Sequence, residues 1–118
     1  MVLAIRGATT VSNNDKNEII NETKKLLSEI FEKNNLKKDD IISIIFTATK
    51  DLNAAFPAVA AREMGLNDVA LMCMSEIDVP DGLKKCIRVM LHVNTSLDKS
   101  RIKHIYLNDA KVLRPDLN

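Results

Sequence analysis

Residues 41–49, IISIIFTAT, are almost continuously apolar and β-branched. Such a run reads as a central strand buried on both faces. It obliges the chain to supply neighbouring strands and a covering layer, and the flanking segments offer both. VLAIRGATT (2–10) reads as a first strand ending at Gly7, and SNND after it provides N-cap candidates. Asp15 followed by Glu18 resembles a capping box, with Asp in place of the usual Ser or Thr. Ile19, Ile20, Leu26, Leu27, Ile30 and Phe31 then recur with helical period, so residues 15–34 are expected to form an amphipathic helix.

FPAVAAREMG reads as a short helix, with Pro57 in its first turn and Gly65 at its stop. DVALMCM (68–74) is a strand, DVPDG a turn, 84–93 a strand, TSLDKS a loop, RIKHIYLN (101–108) a further strand, and KVLRPDL a last extended piece. The order βαβαβ followed by more strands implies an α+β protein with a mixed sheet, parallel early and antiparallel late. No linker or internal repeat interrupts residues 1–118, which read as a single domain.

In the strand at 84–93, Ile87, Val89, Leu91 and Val93 mark a buried face, and Cys86, Arg88, Met90 and His92 share the other. An arginine cannot shed its charge, and burying it unpaired is costly. Something anionic should meet Arg88. If the strands are neighbours, Arg6, Arg88, Arg114, Tyr106, Cys73 and Glu76 could line one cavity. Two guanidiniums facing one pocket suit a dianion, since each planar fork can grip a carboxylate. Glu76 would accept from a ligand hydroxyl or pair with one arginine, and Tyr106 would share a face with His104 and Ile102. Plainer readings compete. A strand arginine beside a glutamate is commonly a structural ion pair, cysteines are commonly small buried hydrophobes, and Tyr106 and Phe56 could serve packing alone.

Composition closes several other routes. The 17 basic and 16 acidic residues nearly cancel without a basic run, and aromatics make up 3%, so neither nucleic acid nor a membrane surface is an expected partner. Two cysteines with no zinc spacing, no signal peptide and no long apolar run suggest a reduced, cytoplasmic protein. Two histidines, His92 and His104, give no convincing metal site, although they could meet across paired strands. Motifs for nucleophilic, nucleotide-binding or metal chemistry are missing, and three glycines leave no phosphate-cradling loop.

IRGATT, ATKDLNAAFPAVAAR, CMSEIDV, GLKKCIRVML and IYLNDAKVLRPDL together resemble, nearly end to end and in order, the monofunctional chorismate mutases of the Bacillus type, the AroH class. The resemblance implies α+β subunits with helices on one face of a mixed sheet, assembled as a homotrimeric pseudo-α/β barrel with active sites at subunit interfaces. It implies conversion of chorismate to prephenate, on the route to phenylalanine and tyrosine, with no cofactor and no metal. By resemblance, Arg6 grips a substrate carboxylate, and Arg88 contacts the ether oxygen and a neighbouring carboxylate. Tyr106 lies at the same end of the ligand. Cys73 and Glu76 take up the ring hydroxyl. Phe56 and Ala58 line the pocket wall, Arg62 stands near its mouth, and Leu113 and Arg114 belong to a segment closing over it.

Two positions depart from the family pattern: Val59 replaces a lysine, which could weaken ground-state binding of a dianion, and Met72 replaces a threonine, where little is lost if the contact is made through the backbone. Two readings from other classes remain beside the enzyme. One is a trimeric module that binds a carboxylate ligand without turning it over, and the other is an oligomeric structural protein with arginines paired across subunits.

Overall fold

The computed structural model describes residues 1–117. One mixed sheet contains β1 (Val2–Thr10), β2 (Ile41–Ala48), β3 (Ala70–Ser75), β4 (Cys86–Asn94) and β5 (Ile105–Tyr106), in the order β3-β2-β4-β1-β5. Helix α1 (Lys16–Lys33) links β1 to β2, and α2 (Ala58–Glu63) links β2 to β3. Strand β4 lies between β1 and β2 and is antiparallel to both. Strands β2 and β3 are parallel, as expected early in the chain. The last strand corrects the expectation, because β5 runs parallel to β1.

Helix α1 forms where its periodicity places it. The Asp15 side chain accepts from the Glu18 amide, and Glu18 reaches back to the amides of Ser12 and Asn13. This is a capping box displaced onto the residues before the cap. Ile19, Ile20, Leu26, Leu27 and Ile30 face the sheet and are buried. Leu26, Leu27 and Ile30 join Ile5, Ile44, Phe46, Val89 and Leu91, along with Ala58 and Ala61 of α2, in the main core. Both helices therefore cover one face of the sheet. Gly7 lies in mid-strand, not at the end of β1. A Cβ there would sit 2.8 Å from Ile30 Cδ1 and 3.1 Å from the Ile105 carbonyl, so glycine is what lets the helix layer and β5 approach. Gly65 ends the α2 turn with φ +88°, as its place in the sequence suggested.

Strand β2 is interior but not buried on both faces. Ile44 and Phe46 are fully buried, whereas Ser43, Ile45 and Thr47, on the face away from the helices, are only partly covered. The β-branched run signalled a double-sided strand, yet one chain supplies helices for one side only.

The predicted strand at 101–108 is reduced to Ile105–Tyr106. Side chains take the backbone partners that a longer ladder would need. Asn34, buried at the C-terminal end of α1, accepts from the Lys103 amide at 2.8 Å and donates to the Lys103 carbonyl at 2.9 Å. His104 Nδ1 accepts the Arg6 amide at 2.9 Å. On the far side, Asn108 adopts φ +53° and donates to the Thr10 carbonyl. Residues 108–113 and 115–117 then form 3-10 turns, not the extended piece expected. Ile102 packs into the main core and Tyr106 into a separate cluster, so these two do not share a face as anticipated.

Candidate active site

Directly paired residues point to the same side of a sheet. The register therefore defines a row on the uncovered face: Thr47 on β2, Arg88 on β4, Ala8 on β1 and Tyr106 on β5. The next row contains Ile45, Met90 and Arg6. Two arginines and the tyrosine thus share one face, as the alternation of β4 foretold. Glu76 immediately follows β3, and its amide extends the ladder by donating to the Ala48 carbonyl at 3.0 Å. Strand parity brings its side chain to this same face.

There Glu76 Oε2 accepts from the Thr47 hydroxyl and lies 3.2 Å from Arg88 Nε. The ion pair is largely sheltered, with side-chain exposures of 29% for Arg88 and 19% for Glu76, so solvent weakens it less than a surface pair. It is a Coulombic contact more than a hydrogen bond, because the buried Arg88 Nε has no aligned acceptor among the described residues. Arg88 also lies beside the Cys86 thiol. Burial pushes that thiol's pKa up, and the neighbouring guanidinium only partly opposes the effect. Cys86 is the small buried residue that the plainer reading described.

Tyr106 is buried with Ala8, Cys86 and Ala110, and Leu113 packs against this cluster. Tyr106 interacts with Arg114, whose Nε and Nη2 also grip the Asp116 carboxylate at 3.1 and 3.0 Å. His104 feels the charges of both Arg114 and Arg6. Desolvation first, then these two cations, lowers its pKa below 6.5. Accepting the Arg6 amide at Nδ1 requires the tautomer protonated at Nε2. His92 contacts Ser43 instead, so the two histidines do not meet.

The remaining sequence candidates lie elsewhere. Cys73 pairs with Phe46 on the helix-covered face and packs against the main core. It is therefore on the opposite side of the sheet from Glu76, and two strand spacings, about 10 Å, from Arg88. The single cavity expected to hold all six residues does not form within one chain. Two clefts take its place. The first, about 630 Å³, is lined by Glu76, Arg88 and the loop 77–84. The second, about 610 Å³, is lined by Phe56, Pro57, Cys73 and Met74. Phe56 is 69% exposed at its lip. Ala58 is buried in the core beneath α2, Val59 is half-buried and Arg62 is exposed on the same helix. Met72 is exposed on the edge strand β3.

Sequence reasoning overlooked Thr47, Thr49 and Asp51. Asp51 accepts from the Lys85 amide through both carboxylate oxygens, at 3.2 and 3.0 Å, and from the Thr49 hydroxyl at 2.5 Å. Thr49 Oγ1 accepts in turn from the Cys86 amide at 3.0 Å. The signal was the spacing TATKD, where an apolar strand turns polar at every second position on reaching its C-terminal end, a usual place for sites in parallel sheets.

Fold and site together define a small α+β protein with a sheltered arginine–glutamate centre on an open sheet face and a second cleft, around Phe56 and Cys73, past the end of β2. The family model for chorismate mutase type I matches residues 2–117, and the chain belongs to that family. It is 49% identical to chorismate mutase AroH of Bacillus subtilis (strain 168) over 119 residues, covering 100% of this chain and 94% of that protein. It is 42% identical to chorismate mutase AroH of Thermus thermophilus, covering 99% and 97%. A solved chorismate mutase from Clostridium thermocellum superposes with a TM-score of 0.92 at 70% identity, over 93% of this chain and 98% of that one.

Proposed function

We infer that the chain is a chorismate mutase, an isomerase that rearranges chorismate to prephenate in aromatic amino-acid biosynthesis. Family membership supports the reaction, and one structural observation supports the site: Arg88 is held on a rigid interior strand, in register with Thr47 and Tyr106 and against Glu76. The rearrangement is concerted and intramolecular. No proton moves and no covalent intermediate forms, so the residues need only hold the substrate compact and meet the charge that develops as the C–O bond breaks.

Arg88 meets the ether oxygen, where negative charge accumulates. Arg6 and Tyr106 hold a carboxylate, with Leu113 and Arg114 closing that end. Glu76 accepts from the ring hydroxyl. A roughly million-fold acceleration corresponds to about 8 kcal/mol, which positioning and a few charge-assisted hydrogen bonds can supply.

Cys73 and Phe56 line the second cleft, with Ala58, Arg62 and Met72 on the neighbouring α2 and β3, and none of the five lines the cleft at Arg88. We propose that a neighbouring copy presents that cleft, so that each complete site lies between two subunits of a homotrimer. Cys73 from one copy then joins Glu76 from the next at the ring hydroxyl. Following chorismate loss by absorbance, with prephenate identified as the product, tests the reading. Saturable binding without turnover would favour a binding module and overturn it.

A further inference from the structure

Glu76 and Arg88 stand close enough to neutralise each other, which would disable both. A free carboxylate beside a guanidinium normally closes into a two-pronged pair, with both oxygens on the fork. Here that closure has not happened. The closest contact runs through Nε, at 3.2 Å, it is not aligned as a hydrogen bond, and no two-pronged hydrogen bonding joins the pair. The oxygen nearest Arg88, Oε2, is the one that accepts from the Thr47 hydroxyl. Thr47 is the cross-strand partner of Arg88, so its hydroxyl reaches the carboxylate from the sheet beneath the pair. Among the described residues no donor reaches Glu76 Oε1.

We propose that Thr47 is a positioning residue that tethers Oε2 of Glu76, which keeps the carboxylate from closing onto Arg88 and leaves Oε1 turned toward the substrate hydroxyl. The tether separates two tasks that would otherwise compete. The carboxylate receives the ring hydroxyl, and the outer nitrogens of Arg88 remain available to the breaking bond. Without the Thr47 hydroxyl, Glu76 swings onto the guanidinium. The charge lost is the one most needed in the transition state, so turnover falls more than substrate binding. The proposal rests on the chorismate mutase reading and on Glu76 acting in it.

The test compares Thr47→Val, which keeps shape and β-branching, with Thr47→Ser, which restores the hydroxyl, each alone and in a Glu76→Ala background. Thr47→Val is expected to lower kcat about tenfold while changing KM no more than about threefold. Thr47→Ser should recover most of the lost turnover. In Glu76→Ala enzyme, Thr47→Val should add almost no further loss, because two residues that act through one another are not additive. Full additivity in that background, or a Thr47→Val enzyme as fast as the parent while Glu76→Ala is impaired, overturns the tether alone. A Glu76→Ala enzyme with parental kinetics overturns the assignment of Glu76 and the tether with it.

Discussion

Arg88 matters because its charge is permanent and its strand is rigid. Arg88→Ala should cut turnover at least about a hundredfold, the scale of losing one oxyanion donor. Arg88→Lys keeps the charge but not the planar fork, so steady-state kinetics should show only partial recovery. A folded Arg88→Ala enzyme at parental speed would make the residue structural. His104 gives a pH-dependent outcome of a different kind. Its folded pKa lies below 6.5, because protonation is opposed by burial and by Arg114 and Arg6. Its contribution to stability is complete above about pH 6.5 and is lost as pH falls through the lower folded value. Urea unfolding at pH 7.5 and pH 5 should show a smaller acid loss in His104→Gln, which still offers the Arg6 amide an acceptor and does not titrate. Much at this scale was readable from spacing. Alternation in β4 put Arg88 beside Cys86 and Met90. The same parity separates Cys73 from Glu76, since three residues along a strand reverse the face, although kinship of motif suggested that they work from one side. Thr47 was hidden because its importance comes from cross-strand register, which no local pattern encodes.

Elements carry these residues into place, and the start of β4 is the most heavily tied. Lys85 adopts φ +49°, an unfavourable conformation for a residue with a side chain, and its amide is held by Asp51. The adjacent Cys86 is bound to Thr49 through backbone and side chain together. The clamp fixes the strand two residues before Arg88. Asp51→Ala should therefore lower stability by about 1–3 kcal/mol by leaving the amide unpaired, and lower turnover as well. Asp51→Asn retains one carbonyl acceptor and should lose less on both counts. Thermal melts alongside kcat check this, and an unchanged Asp51→Ala enzyme would rule it out. Helix α1 was legible because twenty residues of regular period outweigh any local ambiguity. Strand β5 was not, because Asn34, His104 and Asn108 capture the backbone groups on either side of Ile105–Tyr106. Those captures are contacts between residues about 70 to 100 positions apart.

At the scale of the molecule, the sheet face away from the helices is the surface on which the proposed trimer would pack. Met72 and Met74 are 58% and 44% exposed along its edge, and Ile45 lies beside them on β2. The β-branched run of β2 was composed for burial on two sides, and a second copy is the natural source of the missing cover. The same packing would join the Arg88 cleft of one copy to the Phe56 cleft of another, and this can be read by complementation. Arg88→Ala spoils the first half-site. Phe56→Asp places a carboxylate at the lip of the second, where it repels a dianionic substrate. Each variant alone should be nearly inactive. Unfolded together in equal amounts and refolded, they form mixed trimers in which some junctions unite an intact Arg88 cleft with an intact Phe56 cleft. Random assembly gives each junction two independent one-in-two chances, so activity should return to about a quarter of the parent level. Light scattering should report three chains in every sample. If each site were built within one chain, mixing would restore nothing, because no subunit in the mixture carries both halves.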